Sequence, residues 1–186
     1  MTRRERDFYE TDPKLVRPLL ARIAKHTPGY SPKRILEPCV GDGSLLGALK
    51  EQWPQSSYTT NDIDSARRAN SHRDAADPTQ WPVPWVTRWH LTITNPPFSQ
   101  AQAIIDNARR HSDVVIALVR LSFLEPTKSR GAWLQQWPPS SILVTPRWSF
   151  TANGKSDSVT TAWCVWHSVG EPLLRPFDVI TREEIR

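Results

Sequence analysis

Arg34-Ile35-Leu36-Glu37-Pro38-Cys39-Val40-Gly41-Asp42-Gly43, followed by Ser44-Leu45-Leu46-Gly47-Ala48-Leu49-Lys50, decides the fold. The first four residues read as a short buried strand. Gly41 and Gly43 permit a sharp turn, and the residues from Ser44 resume helical spacing. Strand, glycine turn and helix together open a βαβ unit. Gly47 stands one residue too far along for the three-glycine dinucleotide fingerprint, and no Gly-Lys-Ser/Thr follows, which excludes a phosphate-binding Walker loop. The turn is either a tight connection or a place where backbone approaches a ligand. Glu37 at the strand end would repel a pyrophosphate but attract an ammonium or a ribose.

The same alternation continues outward. Upstream, Asp12-Pro13 supplies an N-cap and a first-turn proline to a helix striped by Leu15, Leu19 and Ile23, ending before Thr27-Pro28-Gly29. Downstream, Tyr58–Asn61 reads as a strand, and a short helix is predicted in the polar stretch up to Asp77. The Pro- and Trp-rich run from Trp81 to Trp89 reads as surface loop. His90–Thr94 and Asp113–Leu121 are predicted strands around a helix over Ala101–Arg110. The run Val114–Val119 reads as buried on both faces of a sheet. A helix over Pro126–Trp137, a strand over Ser141–Thr145 and a late strand over Thr160–Trp166, antiparallel to its predecessor, complete the pattern. The tail after Gly170 is weakly patterned. The expected fold is α/β, a doubly wound and mostly parallel sheet with one late antiparallel strand. Ligands of such sheets bind at the carboxyl ends of the strands.

Composition narrows the function classes. The chain has 186 residues, 17 Pro, 9 Trp, 2 Cys and a formal net charge of +5. So many prolines argue against a helical bundle, and two cysteines exclude a disulfide scaffold or an all-cysteine zinc site. The five histidines lie in separate segments without ligand spacing, so no metal is expected. Cys39 reads as a small apolar residue beside the ligand. No apolar run approaches the roughly 20 residues of a membrane span, and no secretory signal is apparent, so a cytoplasmic protein is expected. Residues 1–34 carry nine basic and four acidic side chains, and residues 120–155 carry five against one. The segment between has nine carboxylates and seven cations. An acidic centre between basic flanks suits a small-molecule site beside a phosphate-facing surface, although solubilising surface charge produces the same balance.

Three constellations carry chemistry. Asp62, at the end of the second strand, can accept the hydroxyl hydrogens of a ribose, with Ile63 packing on an adenine face. Asn95-Pro96-Pro97-Phe98 leaves the third strand directly. Its prolines rigidify the loop, and the Asn95 side-chain oxygen and Pro96 carbonyl present two acceptors that suit a planar NH₂ group. Phe98 offers a flat face to an aromatic base. The third stretch, Arg147, Trp148, Phe150, Lys155 and Ser156, combines cations and aromatics suited to phosphate contact and base stacking, although Asn153-Gly154 also fits a plain hairpin turn.

In this order, Glu37–Gly43, Asp62 and Asn95–Phe98 resemble the motifs of S-adenosylmethionine-dependent DNA adenine-N6 methyltransferases, in the family's gamma arrangement. Leu121-Ser122-Phe123-Leu124-Glu125 and Pro146–Phe150 are similar to short phage- and prophage-type members. The likeness runs over roughly residues 7–167. It implies a Rossmann-like class I methyltransferase fold with S-adenosyl-L-methionine as cofactor. It assigns catalysis to Asn95, Pro96, Pro97 and Phe98, and cofactor contacts to Tyr9, Thr11, Glu37, Pro38, Gly41, Gly43, Asp62, Ile63 and Asn95, with Asp74 or Asp77 facing the cofactor adenine. Asp12 splits the family's usual Thr-Pro. DNA, duplex or single-stranded, is the implied partner of a monomer or homodimer.

The expectation is one methyltransferase domain over 1–186 without a separate target-recognition domain. Short or relaxed sequence specificity would then reside in loops 122–133 and 147–158, with Arg130, Arg147, Trp148, Phe150, Lys155 and Ser156 on the nucleic acid. Methylation of RNA amino groups or of protein glutamine are the enzymatic alternatives. A nucleic-acid-binding module on a decayed methyltransferase fold is the non-enzymatic one.

Overall fold

The computed structural model describes residues 11–81, 88–147 and 160–185. Seven strands form one mixed sheet in the order β2-β1-β3-β4-β6-β5-β7. They are β1 (Arg34–Glu37), β2 (Ser57–Thr60), β3 (Trp89–Thr94), β4 (Ser112–Arg120), β5 (Ser141–Val144), β6 (Thr161–His167) and β7 (Phe177–Val179). The first four run parallel. Strand β6 inserts antiparallel between β4 and β5, and β7 adds a parallel edge to β5. Among the described residues, four α-helices flank the sheet: α1 (Pro13–His26), α2 (Ser44–Gln52), α3 (Ala101–His111) and α4 (Lys128–Gln136).

The sheet is doubly wound because its central strands are apolar on both faces. In β4, Val114, Ile116 and Leu118 join α1 and α2 in one core with Leu15, Leu19, Ile23, Leu45 and Leu49. Val115, Ala117 and Val119 face α3 on the other side, with Ile104, Ile105 and Ala108. Strand β6 does the same with Trp163 in the first core and Trp166 in the second. Each fully buried large side chain contributes about 1.5–3 kcal/mol relative to exposure. Winding reverses between β1 and β3, so the loops leaving β1, β2 and β3 converge on one edge. Leu36 pairs with Thr92 across β1 and β3, which places Glu37 and Asn95 at that common edge.

Helix α1 starts where its sequence directs. The Asp12 carboxylate accepts from Lys14 N at 2.8 Å, Pro13 occupies the first turn, and Lys25 and His26 face the negative end of the helix dipole. No helix among the described residues is long and apolar enough to cross a membrane.

Four expectations are corrected. The stretch after Asp62 contains no helix up to Trp81. Asp62, Asp64, Asp74 and Asp77 each turn back to accept the N–H two residues on, and this local bonding competes with helix formation. The helix expected from Pro126 begins at Lys128, after a 3-10 turn over Leu121–Leu124. Trp81 and Trp89, read as surface loop, are both buried; residues 82–87 between them lie outside the described residues. The tail is ordered and contributes to the core. β7 pairs with β5, Leu173, Leu174, Ile180 and Ile185 are buried, and Arg22 of α1 holds Asp178 and Glu184 at 2.9 Å each.

Candidate active site

Glu37, the last residue of β1, is 3% exposed, and its Oε2 has no hydrogen-bond partner. Burial pushes this carboxyl well above the usual carboxylate range, and the charges of Asp42 and Asp62 push it the same way. The following turn depends on left-handed backbone, with φ +57° at Gly41 and +84° at Gly43. Gly43 is the N-cap of α2, and Asp42 steadies the first turn by accepting from Ser44 N and Oγ at 3.1 and 2.6 Å.

Asp62 joins this turn to β2. Its Oδ2 accepts from Gly41 N at 2.8 Å and its Oδ1 from Asp64 N at 2.9 Å. The sequence places Asp62 toward a ribose; here both oxygens also brace backbone, and each retains lone-pair capacity. Ile63 beside it is exposed, with its apolar surface open to a planar group.

Sequence reasoning missed Asn61. Its side chain is 6% exposed and uses all four hydrogen-bonding positions. Nδ2 donates to the carbonyls of Pro38 and Arg73, both at 3.0 Å, while Oδ1 accepts from Ser71 Oγ at 2.8 Å and Arg73 N at 3.0 Å. One amide thus ties the glycine turn to the segment leading into Asp74. The signal was an Asn at a strand end beside a charged turn, a pattern that ordinarily marks only a loop. Asp74 uses Oδ1 on Ala76 N at 2.8 Å. Asp77 commits both oxygens to Thr79 and Gln80, bonds that hold its carboxyl below the usual range, Thr79 foremost.

The Asn95 loop leaves β3 at the same edge. Asn95 Nδ2 donates to Thr11 Oγ1 at 3.0 Å, and Thr11 is 5% exposed. This bond orients the amide and turns Oδ1 away from Thr11. Pro96 is buried and Pro97 half-buried. Thr11, expected against a cofactor, therefore bears directly on the Asn95 amide. Phe98 is half-buried, and the guanidinium of Arg120, the last residue of β4, lies 4.7 Å from its ring centroid. Arg120 is a second residue that the sequence reading did not single out as part of the site.

Arg130 is half-buried over Phe123, and Arg147 is exposed just beyond β5. Tyr9, Trp148, Phe150, Lys155 and Ser156 lie outside the described residues. Cys39 is half-buried, and burial pushes its thiol up, which opposes thiolate chemistry.

No protein-family model and no curated sequence matches the chain. Solved structures do. The type I restriction-modification system methyltransferase subunit from Streptococcus thermophilus superposes with a TM-score of 0.69 at 15% identity, covering 96% of this chain and 51% of that one. This is the class I methyltransferase fold. A protein assigned as a class I S-adenosylmethionine-dependent methyltransferase from Listeria monocytogenes gives 0.62 at 12% identity, over 91% of this chain and 65% of that chain. One assigned as an RNA methyltransferase from Pyrococcus horikoshii gives 0.63 at 17% identity, over 87% and 86%. The chain spans about half the length of the Streptococcus subunit.

Proposed function

We propose that this protein transfers a methyl group from S-adenosylmethionine to the N6 amino group of adenine in DNA. The observation carrying the proposal is the Asn95-Pro96-Pro97-Phe98 loop at the sheet edge, with its amide oriented by Thr11. The residues present suit the cofactor. Glu37 offers a buried carboxyl oxygen without a partner to a cationic ligand, and a Cβ at Gly43 would meet nothing within 4 Å, so the turn is open. Glu37, Gly41, Gly43, Asp62 and Ile63 would hold the cofactor, and Asp74 is better placed than Asp77 to face its adenine because Asp77 is committed locally. The cofactor supplies a sulfonium methyl that passes to a nitrogen lone pair, the S–C bonding pair returning to sulfur.

The protein's own part is positioning. Asn95 Oδ1 and the Pro96 carbonyl each accept one hydrogen of the N6 amino group, which draws its lone pair out of conjugation with the ring. Phe98 supports the base after it leaves the helix, a step costing a few kcal/mol. As the N–C bond forms, one N6 proton is shed toward water along an accepting carbonyl. Orientation and hydrogen bonding of this kind account for large rate effects without a covalent intermediate.

The similar structures include one from a restriction-modification system and one assigned to RNA, so RNA is the reading to test alongside DNA. A tritiated-methyl assay offering duplex DNA, single-stranded DNA, RNA and protein decides between them. The expected result is label in DNA, converted to N6-methyladenine, and a loss of about 10²–10³ in rate for Asn95→Ala. Label confined to RNA or protein, or an Asn95→Ala variant as active as wild type, would sink the proposal.

A further inference from the structure

Where β4 ends, beside the Asn95 loop, a cleft of about 190 Å³ opens between Phe98, Ser99, Arg120, Ser122, Phe123 and Arg130. Its two cations are held alike. The Arg120 guanidinium lies 4.7 Å from the Phe98 centroid and that of Arg130 4.8 Å from the Phe123 centroid. Stacking occupies the face of a guanidinium and leaves its N–H groups directed outward in the plane.

Those donors are poorly matched among the described residues. Arg120 Nε is shut off from solvent and, among the described residues, donates to no acceptor. Arg130 Nε reaches Gln102 Oε1 at 3.5 Å, the outer limit of a hydrogen bond. Among the described residues no carboxylate lines the cleft and neither arginine forms an ion pair. Arg22, Arg88, Arg109 and Arg110 by contrast each meet an aspartate. Two half-buried cations stacked on rings, without a counterion among the described residues, suit an anion from outside at whatever edge of each fork is accessible. Guanidinium forks match the paired oxygens of a phosphodiester. A nucleotide whose base rests on Phe98 carries its phosphate one sugar away, and Phe98 itself lines this cleft.

We propose that Arg120 and Arg130 form a clamp on the sugar-phosphate backbone of the DNA flanking the target adenine. The proposal rests on reading Asn95–Phe98 as the amino-methylating loop. Because Arg120 also covers one face of Phe98, phosphate capture and base stacking are coupled through a single side chain. Arg130 alone would add affinity; Arg120 adds a link between binding and presentation of the base.

The test compares a short single-stranded deoxyoligonucleotide holding one adenine with the same strand carrying uncharged methylphosphonate linkages on both sides of that adenine. Binding is followed by fluorescence anisotropy across a salt series. Wild type is expected to bind the neutralised strand about tenfold more weakly. Arg120→Gln/Arg130→Gln should weaken binding of the natural strand comparably and lower the slope of log affinity against log salt by about 1.4. It should no longer distinguish the two strands, while retaining S-adenosylmethionine binding by calorimetry. Equal wild-type affinity for both strands overturns the clamp. So does a folded double variant that still discriminates between them. If the double variant melts, the wild-type comparison of the two strands decides alone. Stronger binding of the matching RNA strand overturns DNA as the partner. Failure of the underlying reading is separate, since it shows as no methyl transfer from wild type to the natural strand.

Discussion

The two sides of the sheet edge are built on opposite plans. Around Gly41, polar side chains are braced by neighbouring groups: Asp62 holds two N–H groups, Asp42 accepts from Ser44 N, and Asn61 satisfies four positions at once. Around Phe98 the groups are cationic and aromatic, and Arg120 Nε has no acceptor among the described residues. Polar satisfaction of the first kind fixes geometry before a ligand arrives, whereas an unmet donor is completed by the ligand itself. The glycine side is therefore preorganised, whereas the Phe98 side keeps a polar donor unmet among the described residues.

The largest expected effect tests the preorganised side. Asn61→Ala removes four hydrogen bonds and strands buried partners, which should cost about 3 kcal/mol. Thermal unfolding should fall by roughly 6–12 °C; a variant melting within a degree of wild type would show that the bracket is dispensable. Thr11→Val keeps the shape and removes the acceptor of Asn95 Nδ2. Methyl transfer should drop about tenfold, the equivalent of one lost hydrogen bond, and Thr11→Ser should recover it. Unchanged kcat for Thr11→Val would mean that the amide is oriented by other contacts.

Glu37→Gln is expected to have a smaller effect, with a definite sign. A carboxyl whose folded pKa is raised contributes stability that is complete below its unfolded value near 4.5 and is lost as pH rises toward the folded one. The ligand-free Gln variant should thus melt close to wild type at pH 4.5 and above it at pH 8, about 2–4 °C for each kcal/mol relieved. A gap that widens toward acid would reverse the assignment. Arg120→Met should change least in the absence of DNA. Losing the ring contact costs about 0.5–1 kcal/mol, and deleting the unmet donor offsets it. A melting temperature within about 2 °C of wild type sharpens the contrast with Asn61, and a large drop would place Arg120 among the structural residues.

Local patterns carried much of the fold. β1 is read to the residue from Arg34-Ile35-Leu36-Glu37, and Val114–Val119 announces a strand buried on both faces. The insertion of β6 between β4 and β5 is a pairing choice between distant strands and leaves no local mark. β7 is hidden for a different reason: its three residues leave Phe177 and Val179 exposed, so no burial pattern distinguishes them. In the site, carboxylates and prolines at strand ends were legible because their chemistry is read one residue at a time. Asn61 and Arg120 matter through their partners, which lie 10 to 23 residues away for Asn61 and on the loop leaving the neighbouring strand for Arg120. A cation closing the apolar run of β4 at its carboxyl end was nonetheless a usable clue, since ligands gather there.

The attachment of α1 has a consequence for synthesis. Trp163 Nε1 donates to Leu15 O at 3.1 Å across 148 residues of chain. At about 5–20 residues per second, the ribosome needs roughly 7–30 s to make the strand that receives this helix. Through that interval Leu15, Leu19 and Ile23 lack their final neighbours. Helix α1 can pack early on α2 but gains Trp163 only after this wait, so until then part of its greasy stripe is open for a chaperone to hold or a crowded cell to trap.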